Sequence, residues 1–116
     1  MSNKIFNKVV GDVGEEKAVK YLKSQGYKII TTNYKNKLGE IDIIAKDSGV
    51  LVFVEVKYRT TDYFGLPRES VNIQKQHKIR LVATSYITKN NFLDMTCRFD
   101  VVEVLEDKIS HIKDCF

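Results

Sequence analysis

The sequence predicts an α/β fold with a mixed central sheet and helices packed against it, on three observations. A helical apolar stripe comes first, and three runs rich in β-branched and aromatic residues follow it directly. A second helical stripe then separates those runs from two more. A helix that links strands places them in one mixed sheet. With 116 residues, 43% of them hydrophobic, the chain has material for one domain with its own core and not for two, so a single domain over 1–116 is expected.

From Gly14 to Gln25 the residues Ala18, Val19 and Leu22 recur at helical spacing, and Gly26 stands where a helix stops. The run 27–32 (YKIITT) reads as the first strand. A second strand spans 39–46, centred on Ile41-Asp42-Ile43-Ile44, and a third spans 50–58. Asp47-Ser48-Gly49 has tight-turn composition, so the second and third strands are expected to form a hairpin. Residues 60–67, with the single proline Pro67, read as a loop. Ile79, Val82, Ala83, Tyr86 and Ile87 trace the inward stripe of the second helix, ended by Lys89-Asn90-Asn91. The last two strands are 97–105 and 109–112, joined by a turn at Asp107-Lys108.

Composition excludes some classes of function and permits others. The longest clean apolar run, Val50 to Val54, is far too short to span a bilayer, and the first ten residues carry no signal core, so a cytoplasmic protein without a membrane partner is expected. Cys97 and Cys115 lie far apart and have no zinc-like spacing to His77 or His111, so they read as reduced thiols. Lys and Arg number 19 against 15 acidic residues, a net charge of +4 that permits nucleic-acid binding without showing it. There is no phosphate-binding loop, no dinucleotide glycine fingerprint and no Cys/His pair at catalytic spacing.

The chemistry concentrates where the third strand ends. Side chains alternate along a strand, so in Val54-Glu55-Val56-Lys57 the acid and the lysine share one face. Alone, that pattern fits an ion pair at the point where a strand meets solvent. Asp42 adds weight to a different reading, because an aspartate between isoleucines is disfavoured in a strand unless something compensates it. The hairpin would bring it across from Glu55, and two converging carboxylates make a hard-oxygen site of the kind Mg²⁺ or Mn²⁺ takes. Lys57 beside such a site could stabilise charge developing on a phosphoryl group or orient a water. The plain alternative for Asp42 is a satisfied carboxylate paired with Lys57 or Arg59.

Other residues join this group by spacing. Glu15 lies four residues before Val19 and seven before Leu22, on the inward stripe of the first helix, whereas Glu16 falls nearer solvent. It could add a third acid, or simply favour the helix dipole. Gly11 and Gly14 would allow another backbone to approach. On the second helix Lys75 stands at the start of the inward stripe, within reach of a phosphate, with Lys78 beside it; either could instead cover apolar surface with its stem. Arg59 and Arg68, with Tyr63 and Phe64, lie around a loop that could bind nucleic acid by stacking on bases or holding a phosphate, or whose aromatics could cap the core. Arg98 and Asp100 share a strand face and read as a structural ion pair.

Taken in order, Gly14-Glu15, Ala18, Tyr21-Leu22, Gly26-Tyr27, Asn33-Tyr34, Gly39-Glu40-Ile41-Asp42, Val52 to Arg59, Phe64-Gly65, Pro67, Lys75 and Arg98 to Val102 resemble the YraN family of small bacterial proteins, related to Holliday-junction resolvases and restriction-type nucleases. The resemblance covers nearly the whole chain. It implies a restriction-endonuclease-like α-β-β-β-α-β core of the PD-(D/E)XK superfamily. It also implies a Mg²⁺- or Mn²⁺-dependent nuclease site with Asp42 and Glu55 as metal ligands, Lys57 as catalytic lysine and Glu15 as the helix acid. The expected function is endonucleolytic hydrolysis of structured or branched DNA, with DNA preferred over RNA and a homodimer matching a two-fold symmetric junction. The competing expectation is a non-catalytic nucleic-acid- or partner-binding module that keeps the fold.

Overall fold

The computed structural model describes the backbone of residues 3–59 and 71–116 and the side chains of residues 13–59 and 71–116. The order is α1 (Asn3–Ser24), β1 (Lys28–Asn36), β2 (Gly39–Asp47), β3 (Val50–Arg59), α2 (Ile73–Lys89), β4 (Cys97–Leu105) and β5 (Lys108–Ile112). The strands form one five-stranded sheet in the order β1-β2-β3-β4-β5. Only β3 and β4 run parallel, and α2 supplies the crossover that a parallel pair requires. The expected α/β class with a mixed sheet is met.

Turn chemistry sets the hairpins. Asp47 pairs with Val50, and between them Ser48 (φ 50°) and Gly49 (φ 84°) both take the left-handed conformation that a two-residue hairpin needs. The β1–β2 hairpin closes at Asn36 and Gly39, where the Asn36 side chain accepts a hydrogen bond from the Leu38 N–H (2.8 Å). This carries β1 four residues past the end of the expected run, because a hairpin ladder continues through polar residues once its register is set.

α1 also exceeds expectation, beginning at Asn3 rather than Gly14. Ile5, Phe6, Val9 and Val10 recur at helical spacing, and two glycines lower helix propensity by only about 1 kcal/mol each. Gly14 serves packing instead. A Cβ there would lie 2.7 Å from Tyr58 Cδ2 and 2.9 Å from Tyr58 Cβ, so the close approach is to a β3 side chain and not to another backbone. α2 begins at a side-chain cap: the Asn72 side chain accepts from the Lys75 N–H (2.8 Å).

The two helices cover opposite faces. Ala18 and Leu22 of α1 pack with Ile43, Ala45, Val52, Val54, Val102 and Val104. Ile79, Val82, Ala83 and Tyr86 of α2 pack with Ile44, Leu51, Phe53, Phe99 and Val101. Both faces of β3 are therefore buried, and its middle is continuously apolar for that reason. Among the described residues no helix is long and apolar enough to cross a membrane. The expected loop with Tyr63, Phe64, Pro67 and Arg68 lies outside the described residues.

Candidate metal centre

Leu51 and Phe53 face α2, so Glu55 and Lys57, two and four residues further along β3, continue that row beyond the apolar core. There they meet the first turn of α2. Glu55 is only 6% exposed, with Lys75 Nζ 2.5 Å and Lys57 Nζ 3.9 Å from its Oε1. Lys75, expected to reach for a phosphate, is placed on this carboxylate.

The β2–β3 ladder ends at the pair Ile43 and Val54, just short of Asp42 and Glu55. The Asp42 carboxylate takes the place of the next rung: its Oδ2 accepts a hydrogen bond from the Val56 N–H at 2.8 Å. Asp42 is thus held in the seam where the strands part. The facing stretch of β1 is distorted too, since Asn33, between the rungs Thr32–Ile43 and Tyr34–Ile41, has φ 54°.

Electrostatically the group is in conflict. Burial, first, and then the negative charge of Glu55 push the Asp42 carboxyl up to about 7; Glu15 adds to the rise, while the Val56 N–H and Lys75 oppose it. Lys57 is pulled below the usual lysine range by burial and by the ammonium of Lys75, against the pull of Glu55 and Asp42. Burial also works against the charge of Lys75, but its hydrogen bond to Glu55 and the charge of Glu55 outweigh this and raise it. Two carboxylates and two ammonium groups therefore share a small volume, with Glu55 buried and Lys75 at its more exposed edge.

Glu15 is half-buried and its charge is felt at Asp42, whereas Glu16 is exposed. Glu15 also lines a cavity of ≈ 260 Å³ with Glu16, Val19, Thr32 and Asn33. Lys78 is exposed and, with Asn72, Gln74 and Lys75, borders a second cavity of ≈ 310 Å³ at the start of α2. Arg59 is drawn to another acid: its Nε lies 2.9 Å from Glu103 Oε2, without the alignment of a hydrogen bond. Glu103, 8% exposed and aligned with Lys57 in the parallel register, is the charged neighbour that reading the sequence missed. The signal was present, since an acid between Val102 and Val104 is as anomalous as Asp42 between isoleucines.

Among the described residues no group of three or more His, Cys, Asp or Glu side chains gathers closely enough to hold a metal ion unaided. Asp42 and Glu55 nevertheless fit a Mg²⁺ or Mn²⁺ site of the open type. Such ions are held by one or two carboxylates, with water and substrate phosphate completing the shell. After burial, the charge of Glu55 is the main influence raising Asp42, and a divalent cation held by both carboxylates would offset that repulsion.

The fold and this cluster define an α/β protein that carries paired carboxylates and lysines at the splayed end of a central hairpin. Residues 14–104 match the uncharacterised protein family UPF0102. The chain is 53% identical over 112 residues to a UPF0102 protein of Clostridioides difficile (strain 630), covering 95% of this chain and 98% of that one. It is 50% identical over 119 residues to a UPF0102 protein of Clostridium beijerinckii, covering 97% of each. It is 49% identical over 110 residues to another from Lachnoclostridium phytofermentans, covering 94% of this chain and 93% of that one. The chain belongs to the UPF0102 family, the YraN-like proteins that its motifs resemble.

Proposed function

We propose that this protein is a metal-dependent endonuclease of the PD-(D/E)XK type, hydrolysing phosphodiester bonds in structured or branched DNA. The observation that carries the reading is the meeting of Asp42, Glu55 and Lys57 where β2 and β3 part, supported by the order α-β-β-β-α-β along the chain. A Mg²⁺ or Mn²⁺ ion bound by Asp42 and Glu55 would supply a water of lowered pKa and neutralise phosphate oxygens. Asp42 must give up its proton to take that role. The Val56 N–H holds Oδ2 fixed while it does so. Lys57 stands against Glu55 with its stem dehydrated, placed to stabilise negative charge that builds on a phosphoryl oxygen. Lys78, with Lys75 close by, offers positive charge to the phosphate backbone. A homodimer would present two such sites to a two-fold symmetric junction.

A second reading, a binding module without catalysis, draws on the pairing of Glu55 with two lysines, which gives the carboxylate a role without metal. One experiment separates the two. Wild type and Lys57→Ala, each shown to be folded by circular dichroism, are incubated with labelled four-way junction, flap, single-stranded and duplex DNA in Mg²⁺ and in Mn²⁺. Cleavage of a branched substrate by wild type alone is the expected result. Intact substrates throughout, with binding of one structure retained, would favour the binding module.

A further inference from the structure

Two ammonium groups crowd one oxygen of a carboxylate that is 6% exposed: Lys75 Nζ at 2.5 Å and Lys57 Nζ at 3.9 Å from Glu55 Oε1. One buried carboxylate is balanced by one cation, and a second brought against the first is repelled by it. The two lysines are tethered differently. Lys57 projects from the end of β3, where the backbone is still paired with β4 in register with Glu103, and its side chain is 26% exposed. Lys75 stands in the first turn of α2 and is 41% exposed at the end of a flexible four-carbon stem. Beside it opens the ≈ 310 Å³ cavity bordered by Asn72, Gln74 and Lys78.

We propose that Lys75 is an internal counterion that leaves Glu55 when a divalent cation binds, and that the released ammonium then takes a nucleic-acid phosphate in the cavity beside Lys78. The inference rests on the reading of Asp42 and Glu55 as a metal site. Charge counting supports the exchange. Once Asp42 has given up its proton, Asp42 and Glu55 contribute two negative charges and Lys57 and Lys75 two positive ones, so a divalent ion leaves the volume with two positive charges in excess. Lys75 is the group with both the exposure and the reach to withdraw. Its withdrawal puts a positive charge at the start of α2, where Lys78 already lies. Metal and phosphate then assist one another through a single side chain, and such assistance is reciprocal.

The exchange predicts that removing the ammonium improves metal binding while uncoupling it from DNA. Mn²⁺ affinity is measured by titration calorimetry on the full chain of wild type, Lys75→Met, Lys75→Arg and Lys78→Met. Affinity for a labelled four-way junction is then measured with and without Ca²⁺. Lys75→Met is expected to bind Mn²⁺ about tenfold more tightly than wild type, the release of a competitor that holds about 1.4 kcal/mol. Lys78→Met, the same charge change within a turn of the same helix, is expected to stay within about twofold of wild type. Lys75→Arg keeps the competing charge, tests the inference even if the methionine variant fails to fold, and should bind Mn²⁺ no more tightly than wild type. Ca²⁺ is expected to raise junction affinity at least about fivefold in wild type and not in Lys75→Met.

Mn²⁺ affinity that is unchanged or weakened in Lys75→Met, or strengthened in Lys75→Arg, overturns the counterion role and leaves the metal site standing. Ca²⁺ dependence that survives in Lys75→Met, or is absent from wild type, overturns the transfer to phosphate. Failure of both wild type and Lys75→Met to bind Mn²⁺ at millimolar concentration removes the metal site itself, and this inference with it.

Discussion

Two clusters of buried charge lie on opposite faces of the same sheet, and they differ in whether their charges agree. On the α1 side, Asp100 is fully buried and fully served. Arg98 Nε donates to its Oδ1 at 2.9 Å, the Asp114 N–H to the same oxygen at 3.0 Å, and His111 Nε2 lies 2.7 Å from Oδ2. Arg98 also reaches Asp47 (3.1 Å) and the Tyr27 hydroxyl, and Tyr21 of α1 closes the group on His111 Nδ1 (3.2 Å). Burial alone would raise the Asp100 carboxyl, but the hydrogen bonds from His111 and Arg98 overcome it and hold it below the ordinary range. On the other side, Asp42 is pushed up to about 7 and Lys57 pulled down. A cluster that satisfies itself stabilises a fold. One that holds its groups away from their preferred charge states is a candidate functional site, because perturbed groups collect at such sites.

Four measurements test this contrast, in decreasing order of expected effect. Asp100→Ala leaves Arg98 and His111 buried without their carboxylate and should lower unfolding free energy by about 3–5 kcal/mol in urea denaturation. A loss below about 1 kcal/mol would mean that the cluster does not support the fold. On the proposed nuclease reading, Lys57→Ala should lower cleavage rate by roughly 10²–10³-fold, with unfolding free energy within about 1 kcal/mol of wild type. Equal loss of stability in both variants would erase the difference between the clusters.

pH should distinguish the clusters as well. Burial and then the charge of Glu55 push the Asp42 carboxyl up to about 7 in the folded state, from the ordinary 3.8 of a free carboxyl. Between those values the folded protein holds a proton that the unfolded chain has lost, so Asp42's contribution to stability is whole below about pH 4 and is lost as pH rises through 7. Asp42→Asn keeps an acceptor for the Val56 N–H and removes the titration. It should be more stable than wild type at pH 8 by on the order of 2 kcal/mol, a figure discounted for partial exposure, with the advantage gone near pH 4. Identical stability-versus-pH curves would show that Asp42 is not strained. The smallest effect belongs to a surface pair used as control: Lys17→Ala loses a contact with Asp107 that is 98% exposed, and should change stability by less than about 1 kcal/mol.

The sequence carried much of both clusters. Asp42 between isoleucines, Glu55 and Lys57 two residues apart on a strand, and Arg98 and Asp100 likewise are all visible as charges in apolar runs. Glu103 carries the same signature, an acid between Val102 and Val104, but its partner Arg59 is set beside it only by the parallel pairing of β3 and β4. The His111 and Tyr21 contacts to the Asp100 cluster could not be read, since residues 21, 100 and 111 come together only when α1 packs against β4 and β5. Helix α1 extends well before the expected start at Gly14, and Gly14 itself is a contact point for Tyr58 rather than for another backbone.

Local rules determined this protein's elements and the residue types at its candidate site. Side-chain alternation put Glu55 and Lys57 on one face, the Ser48-Gly49 turn made β2 and β3 antiparallel, and Asn72 capped α2. Those are near-neighbour effects, written in short windows of sequence. Tertiary structure alone decided which charge meets which. Lys75 lies 20 residues beyond Glu55 and was expected at a phosphate, yet the packing of α2 on the sheet sets its ammonium 2.5 Å from that carboxylate. Pairing of this kind depends on distances of a few ångströms between separate elements, and Coulomb energy in a dehydrated interior changes steeply over that range.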